Sequence, residues 1–92
     1  MGSPKLMSSH FYVVSLDMES CGADCICNSK IYANSKRDEY LQECRLRQIE
    51  GEVTISCVQV ANHSEYTEQD YFDGIVDVVK NKVIEKMKIS FE

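Results

Sequence analysis

The sequence predicts a small α+β domain, a two-layer sandwich in which two helices cover one face of a three- or four-stranded sheet. Two kinds of pattern indicate this class. Residues 11–17 and 53–60 are apolar and rich in β-branched side chains, whereas residues 36–49 and the segment that starts at residue 67 have helical spacing. A sheet and amphipathic helices bury their apolar surfaces by packing together. The 92 residues are the size of one ordinary domain.

The two apolar segments are predicted strands in the interior of the sheet. Residues 11–17 form a short run of aromatic and β-branched residues that ends at turn-forming residues. In residues 53–60, Val53, Ile55 and Cys57 alternate with polar residues, and Val58 and Val60 make the second half apolar on both faces. Strands that are apolar on both faces are typical of a sheet interior.

Residues 18–34 have an irregular pattern, although residues 25–32 could pair as a second strand across a turn at Asn28 and Ser29. Ser35 is a candidate N-cap for a helix at residues 36–49. Arg45 and Arg47 fall near the end of that helix, where the helix dipole favours positive charge. A narrow apolar stripe predicts that one side of the helix packs on the sheet. The stripe consists of Tyr40, Leu41, Cys44 and Ile49.

The longest predicted helix begins at Thr67 and runs to about Met87. Thr67 with Asp70 resembles a capping box, and apolar residues then recur at spacings of three and four. Gly74 inside this helix costs about 1 kcal/mol relative to alanine, so we expect it to permit a close approach to the sheet. Alternation in residues 87–91 predicts a short terminal strand. The apolar stripe consists of Phe72, Ile75, Val76, Val79, Val83 and Met87.

The predicted order is strand, cysteine-containing segment or strand, helix, strand, helix, strand. This order resembles ferredoxin-like sandwiches in outline, with one strand missing or displaced. Residues 1–7 are expected to be a vector-derived or disordered leader, because a second methionine follows Met1 closely. Residues 8–92 are expected to be a single domain.

Charge and hydropathy exclude several classes of function. The formal net charge is −5, which argues against nucleic-acid binding and against binding to anionic membranes, since both need a basic surface. The apolar stretches are too short to span a bilayer, and no secretory signal is evident. We therefore expect a cytoplasmic, intracellular protein.

The five cysteines cannot all pair within one chain, so reduced thiols are expected. Cys21, Cys25 and Cys27 are the one cluster with possible chemistry, because closely spaced thiolates can converge on zinc with a fourth ligand from elsewhere in the chain. The spacing lacks the Cys-x-x-Cys knuckle of structural zinc sites. The alternatives are a metal or thiol-redox protein and plain, unligated thiols with no cofactor, and we favour the second.

No catalytic constellation is evident, and the chain is therefore predicted to be non-enzymatic. We expect a small accessory or regulatory module that binds a protein partner through an acidic surface. Tyr32, Tyr66 and His63 are the candidate interface residues, because they fall in loops and tyrosine often anchors interfaces. A homodimer is also possible, in which Val58 and Val60 with Phe11 or Val13 would bury an uncovered sheet face. These apolar residues form the expected dimer contact.

Overall fold

The computed structural model describes residues 5–6, 10–19, 21–61 and 66–90. The main sheet is antiparallel, with four strands in the order β3-β2-β4-β6, and β1 pairs with β5 in a separate two-stranded sheet. This confirms the predicted α+β class, with a four-stranded sheet and two helices. β1 lies within the segment expected to be a leader. The elements are β1 (Lys5–Leu6), β2 (His10–Met18), β3 (Gly22–Cys27), α1 (Lys30–Arg47), β4 (Gly51–Val60), β5 (Tyr66–Thr67), α2 (Glu68–Phe72) and β6 (Val78–Ile89).

β2 and β4 form the centre of the sheet and confirm the two strands predicted there. They pair along their whole lengths, from His10 opposite Gln59 to Met18 opposite Gly51. Residues that pair in this way share a face, and the faces alternate along each strand. We call the face that carries Val14 and Ile55 the α1 face, and the face that carries Phe11 and Val58 the α2 face, after the helices that pack on them.

The second strand lies earlier than residues 25–32. β3 forms a hairpin with β2, from Tyr12 opposite Cys27 to Asp17 opposite Gly22. Ser29 does not form a turn between strands. It caps α1, because its backbone is extended (φ −138°, ψ 156°) and its hydroxyl accepts a hydrogen bond from the Tyr32 amide at 3.1 Å.

The helix α1 therefore begins at Lys30 rather than at residue 36. It ends at Arg47, where Gln48 adopts a left-handed conformation (φ 55°). The amides of Gln48 and Ile49 donate to the carbonyls of Arg45 and Cys44 at 3.2 and 3.1 Å. This Schellman motif satisfies two of the final carbonyl groups of the helix.

The prediction of one long helix from Thr67 to about Met87 is wrong. The helix α2 ends at Phe72, after which Gly74 has a positive φ of 76°. The Gly74 amide donates to the Tyr71 carbonyl at 3.1 Å, and the Ile75 amide donates to the Asp70 carbonyl at 3.0 Å. A Cβ at Gly74 would meet nothing within 4 Å. The glycine therefore allows a left-handed helix end, and it makes no close approach to the sheet.

Residues 78–89 form the strand β6 instead of the second half of that helix. β6 pairs with β4 from Gly51 opposite Ile89 to Val60 opposite Val78, with irregularities after Ile55 and Gln59. Its β-branched content favours an extended chain. A central strand such as β4, which is apolar on both faces, also needs a neighbour on each side. The terminal strand predicted at residues 87–91 is the end of β6 as far as Ile89.

The connectivity also differs from that of a ferredoxin-like sandwich. The main elements follow the order β-β-α-β-α-β, whereas ferredoxin-like sandwiches follow β-α-β-β-α-β. The difference arises because β2 and β3 are joined by a hairpin rather than by a helix.

The two helices pack on opposite faces of the sheet, not on one face as predicted. The α1 face holds a buried cluster formed by β2, β3, β4 and α1. On the α2 face, Tyr71 and Val76 pack against a second cluster, and the rings of Phe11 and Tyr71 meet edge to face with centroids 5.1 Å apart. The first cluster consists of Val14, Leu16, Cys27, Ala33, Leu41, Cys44, Val53 and Ile55.

This arrangement removes the surface that the expected dimer would use. Phe11, Val13, Val58 and Val60 are each at most 7 % exposed, because they form the second cluster beneath the α2 segment. The remainder of the α2 face is polar where β2, β4 and β6 continue past that cluster. The side chains there are Ser15, Asp17, Glu52, Thr54, Lys86 and Lys88.

An ion-pair cluster joins α1 to β6. The Arg37 guanidinium donates to Glu85, and the Lys30 ammonium lies 3.5 Å from the same carboxylate. Lys30 also donates to the Asn34 side chain at 2.7 Å. Because Glu85 and Arg37 are mostly shielded from solvent, this cluster fixes the start of the helix over the edge strand.

Candidate functional site

The predicted thiol cluster is divided between two places in the fold. Cys25 and Cys27 lie on the α1 face of β3, and Cys27 is fully buried beneath α1. Cys21 is exposed at the hairpin turn, roughly 13 Å from Cys25 along an extended chain. The structure therefore brings two of the three thiols together. Among the described residues, no group of three or more histidine, cysteine, aspartate or glutamate side chains is arranged to hold a metal ion.

The surroundings of two buried thiols, Cys27 and Cys44, keep them protonated. Burial, followed by the neighbouring Cys25 thiol, raises the pKa of Cys27 to about 12. Burial also raises the pKa of Cys44. Since the thiolate is both the nucleophile and the metal ligand, these two groups are poorly suited to either role at neutral pH.

Two of the predicted interface residues, Tyr32 and Tyr66, lie on different elements. Tyr32 is on the first turn of α1 and is 52 % exposed, which is compatible with a contact. Tyr66 belongs to β5, where it pairs with Leu6. His63 lies outside the described residues. The ring of Tyr71 packs on Phe11 at the edge of the second buried cluster.

Four acidic residues meet at one end of the sheet. A notch of about 560 Å³ opens where the β2–β3 turn meets the start of β4. Its lining includes Asp17, Glu19, Glu50 and Glu52, with Lys88 as the one basic residue. This notch is one acidic feature of the described surface, and it does not test the acidic binding surface that the composition predicts.

The element with the most exposed large apolar side chains is β6, most of which the sequence predicted to be helical. β6 is 12 residues long, and its burial pattern shows ten exposed positions. It is an edge strand, since β4 is its neighbour in the four-stranded sheet. An edge strand presents unpaired N–H and C=O groups along its outer side. Five of its apolar side chains are 41–62 % exposed, and they are Val78, Val79, Val83, Ile84 and Met87.

A basic groove of about 300 Å³ adjoins the first half of this strand. It forms because α1 begins at Lys30 and does not extend over the last rows of the α1 face. In one of these rows Tyr12 lies opposite Cys57, and Cys57 pairs with Lys82 on its other side. In the next row His10 lies opposite Gln59. The groove is lined by His10, Cys57, Gln59, Lys80, Lys82 and Ile84.

Comparison of the chain with protein-family models, with curated proteins and with solved structures finds no match. Within the described ranges, no helix is both long enough and apolar enough to cross a membrane. The candidate binding site therefore consists of two neighbouring features, the exposed apolar edge of β6 and the basic groove beside it.

Proposed function

We propose that the chain is a non-enzymatic accessory or regulatory module that binds an extended segment of a partner protein along the edge strand β6. The observation that carries this proposal is the exposure of β6. It offers 12 residues of strand, and the described part of the chain pairs it on the β4 side. Its exposed valines, isoleucine and methionine supply apolar contacts beside the free backbone groups. Addition of a strand to an open edge is a common mode of peptide recognition, in which backbone hydrogen bonds give affinity and alternate side chains give specificity.

The opposite edge of the sheet is less suited to this role. β3 has six residues and ends in two buried positions, Ile26 and Cys27, so it offers half the length of β6. Its exposed positions are Gly22, Ala23 and Asp24, which present little apolar surface. A partner strand would therefore gain more hydrogen bonds and more apolar contact at β6.

The acidic surface expected from the composition contributes less to the proposed binding than β6 does. The notch that includes Glu50 and Glu52 lies beside the end of β6, next to Lys88. Basic residues at one end of the partner segment would meet it. The thiols have no role in the proposed binding.

Affinity capture from the native host with matched variants tests the proposal. Val79→Thr combined with Val83→Thr keeps β-branched side chains in β6 but removes apolar surface that is 62 % and 54 % exposed. Leu46→Gln is the control, because Leu46 is a comparably exposed apolar residue on α1. We expect the wild type and the control to retain one stoichiometric protein partner that the double variant loses, with all three equally folded by circular dichroism.

Two results would contradict the proposal. Equal retention of the partner by the β6 double variant would place the binding surface elsewhere. Recovery of nucleic acid or a small metabolite, with no stoichiometric protein, would reject a protein-binding function altogether.

A further inference from the structure

We infer that the segment bound along β6 carries acidic side chains, which occupy the basic groove beside Lys80 and Lys82. This inference rests on the proposed function and names the chemistry of the partner. It follows from the distribution of charge on the sheet and from the shape of the groove.

β6 has a charge opposite to that of the rest of the chain. It contains four lysines and one glutamate, in a protein with 10 basic and 15 acidic residues. An extended partner that lies along β6 contacts this strand over its whole length. The local charge therefore matters more to the partner than the net charge of the chain, because electrostatic interactions between exposed groups fade beyond about 10 Å at ordinary salt.

Among the described residues, no acidic side chain pairs with the lysines in the first half of β6. Lys86 lies 3.7 Å from the Glu52 carboxylate, and Lys88 lines the acidic notch. Lys80 and Lys82 form no salt bridge with the described residues, and both line the basic groove with His10. An acidic side chain placed there would meet two free ammonium groups.

The groove has the form that a carboxylate side chain needs. Ile84 and Cys57 offer apolar contact for methylene groups, and the Gln59 amide can donate a hydrogen bond near the two lysines. Lys80 and Lys82 are exposed, so a single ion pair with either lysine contributes at most about 1 kcal/mol, and two pairs together give a measurable preference. The groove thus favours glutamate or aspartate over a neutral side chain at the matching positions of the partner.

A second copy of this chain fits β6 less well than an acidic segment. Edge-to-edge pairing of two β6 strands would bring four lysines of one strand against four of the other, and like charges across strands are destabilising. We therefore commit to an acidic, extended polypeptide as the occupant. Self-association and nucleic-acid binding become outcomes of the test.

The experiment measures the binding of three labelled octapeptides by fluorescence anisotropy. Valine alternates with glutamate in the first peptide, with serine in the second and with lysine in the third. We expect the glutamate peptide to bind about tenfold more tightly than the serine peptide, as two modest ion pairs allow, and the lysine peptide to bind most weakly. Raising the salt concentration from about 0.05 to 0.5 M should remove most of this preference.

Matched lysine variants locate the effect. Lys80→Gln combined with Lys82→Gln should abolish the preference for glutamate over serine, whereas Lys86→Gln should reduce it less, because Lys86 already lies 3.7 Å from the Glu52 carboxylate. The Val79→Thr and Val83→Thr double variant should weaken the serine and glutamate peptides alike.

The outcomes separate the two proposals. Equal binding of the serine and glutamate peptides overturns this inference but leaves strand addition at β6 intact. No binding of any peptide overturns both proposals. A dimer detected by light scattering, or an oligothymidylate that binds more tightly than the glutamate peptide, overturns the choice of an acidic polypeptide.

Discussion

Replacement of Gly51 by alanine tests how closely α1 packs against the start of β4. A Cβ on Gly51 would lie 2.8 Å from Cys44 Sγ, 3.3 Å from Met18 Cγ and 3.4 Å from the Asp17 carbonyl oxygen. Optimal separations between such atoms are about 3.5–4.0 Å, so the sulfur has to move by about 1 Å. Cys44 is fully buried on α1, and such a movement therefore requires a strained rotamer or a shift of the helix.

The expected cost follows from overpacking of a buried site. Gly51→Ala should lower the free energy of unfolding by about 2 kcal/mol, within the usual range for an added methyl group in a packed core. For a domain of this size, that corresponds to a fall of about 10 °C in Tm. Cys44→Ala alone should cost about 1 kcal/mol, because it removes a buried sulfur.

The double variant measures the contact itself. Once the sulfur is absent, the new methyl group has space, so Gly51→Ala with Cys44→Ala should be more stable than the sum of the single effects by about 1 kcal/mol. Urea unfolding followed by circular dichroism gives all four free energies. Additive effects, or a Gly51→Ala variant as stable as the wild type, would show that Gly51 and Cys44 are not in contact.

Three further predictions concern the helix end, the ion-pair cluster and the buried thiol. Gln48→Gly should raise the free energy of unfolding by about 0.5–1 kcal/mol, because Gln48 adopts a left-handed φ of 55° that glycine reaches without strain; a lower urea midpoint would refute this. Glu85→Gln should lower the free energy of unfolding by about 1 kcal/mol. High salt should destabilise the wild type but not the variant, since the variant has lost the ion pairs with Arg37 and Lys30. Equal salt dependence of the two proteins would count against the ion-pair cluster. Burial raises the pKa of Cys27 from 9.0 to about 12. Between these pH values the unfolded chain binds fewer protons than the native protein, so the free energy of unfolding falls as the pH rises above about 9. Cys27→Ala should reduce that slope in pH-dependent urea unfolding, and an unchanged slope would be inconsistent with the buried thiol.

The interior of the sheet was predictable because its signal is local. Residues 11–17 and 53–60 contain β-branched and aromatic residues that suit a pleated, buried surface. The start of α1 was not predictable in the same way, since Ser29 and Ser35 are both suitable caps. Ser29 is the cap in the structure because a helix that begins there buries Ala33 against the sheet, and that gain depends on tertiary packing.

The mistaken long helix shows where periodicity misleads. Apolar residues between Phe72 and Met87 do have helical spacing, but in the structure Val79, Val83 and Met87 are 41–62 % exposed on a strand. The informative signal was the β-branched content of residues 78–84, in which Val78, Val79, Val83 and Ile84 favour a strand. The need of β4 for a second neighbour then decides the conformation.

The candidate site could not be assembled from the sequence. Its groove joins His10 of β2, Gln59 of β4 and Lys80 of β6, which are distant in sequence and become neighbours through the register of the sheet. The Arg37–Glu85 ion pair likewise joins residues 48 positions apart. Composition indicated an acidic protein, whereas the pairing of strands determines that its exposed edge is basic.

Amide hydrogen exchange, measured residue by residue, reports whether residues 78–89 form an edge strand that is open to a partner. In the free protein, alternate amides of β6 point toward β4 and should be protected, while those between them face outward and should exchange rapidly. Addition of the alternating valine–glutamate peptide should slow the outward amides and remove the alternation. Uniform protection of residues 78–89 in the free protein, as in a helix, would show that they do not form an edge strand. No slowing of exchange when the peptide is bound would show that the edge does not accept a partner strand.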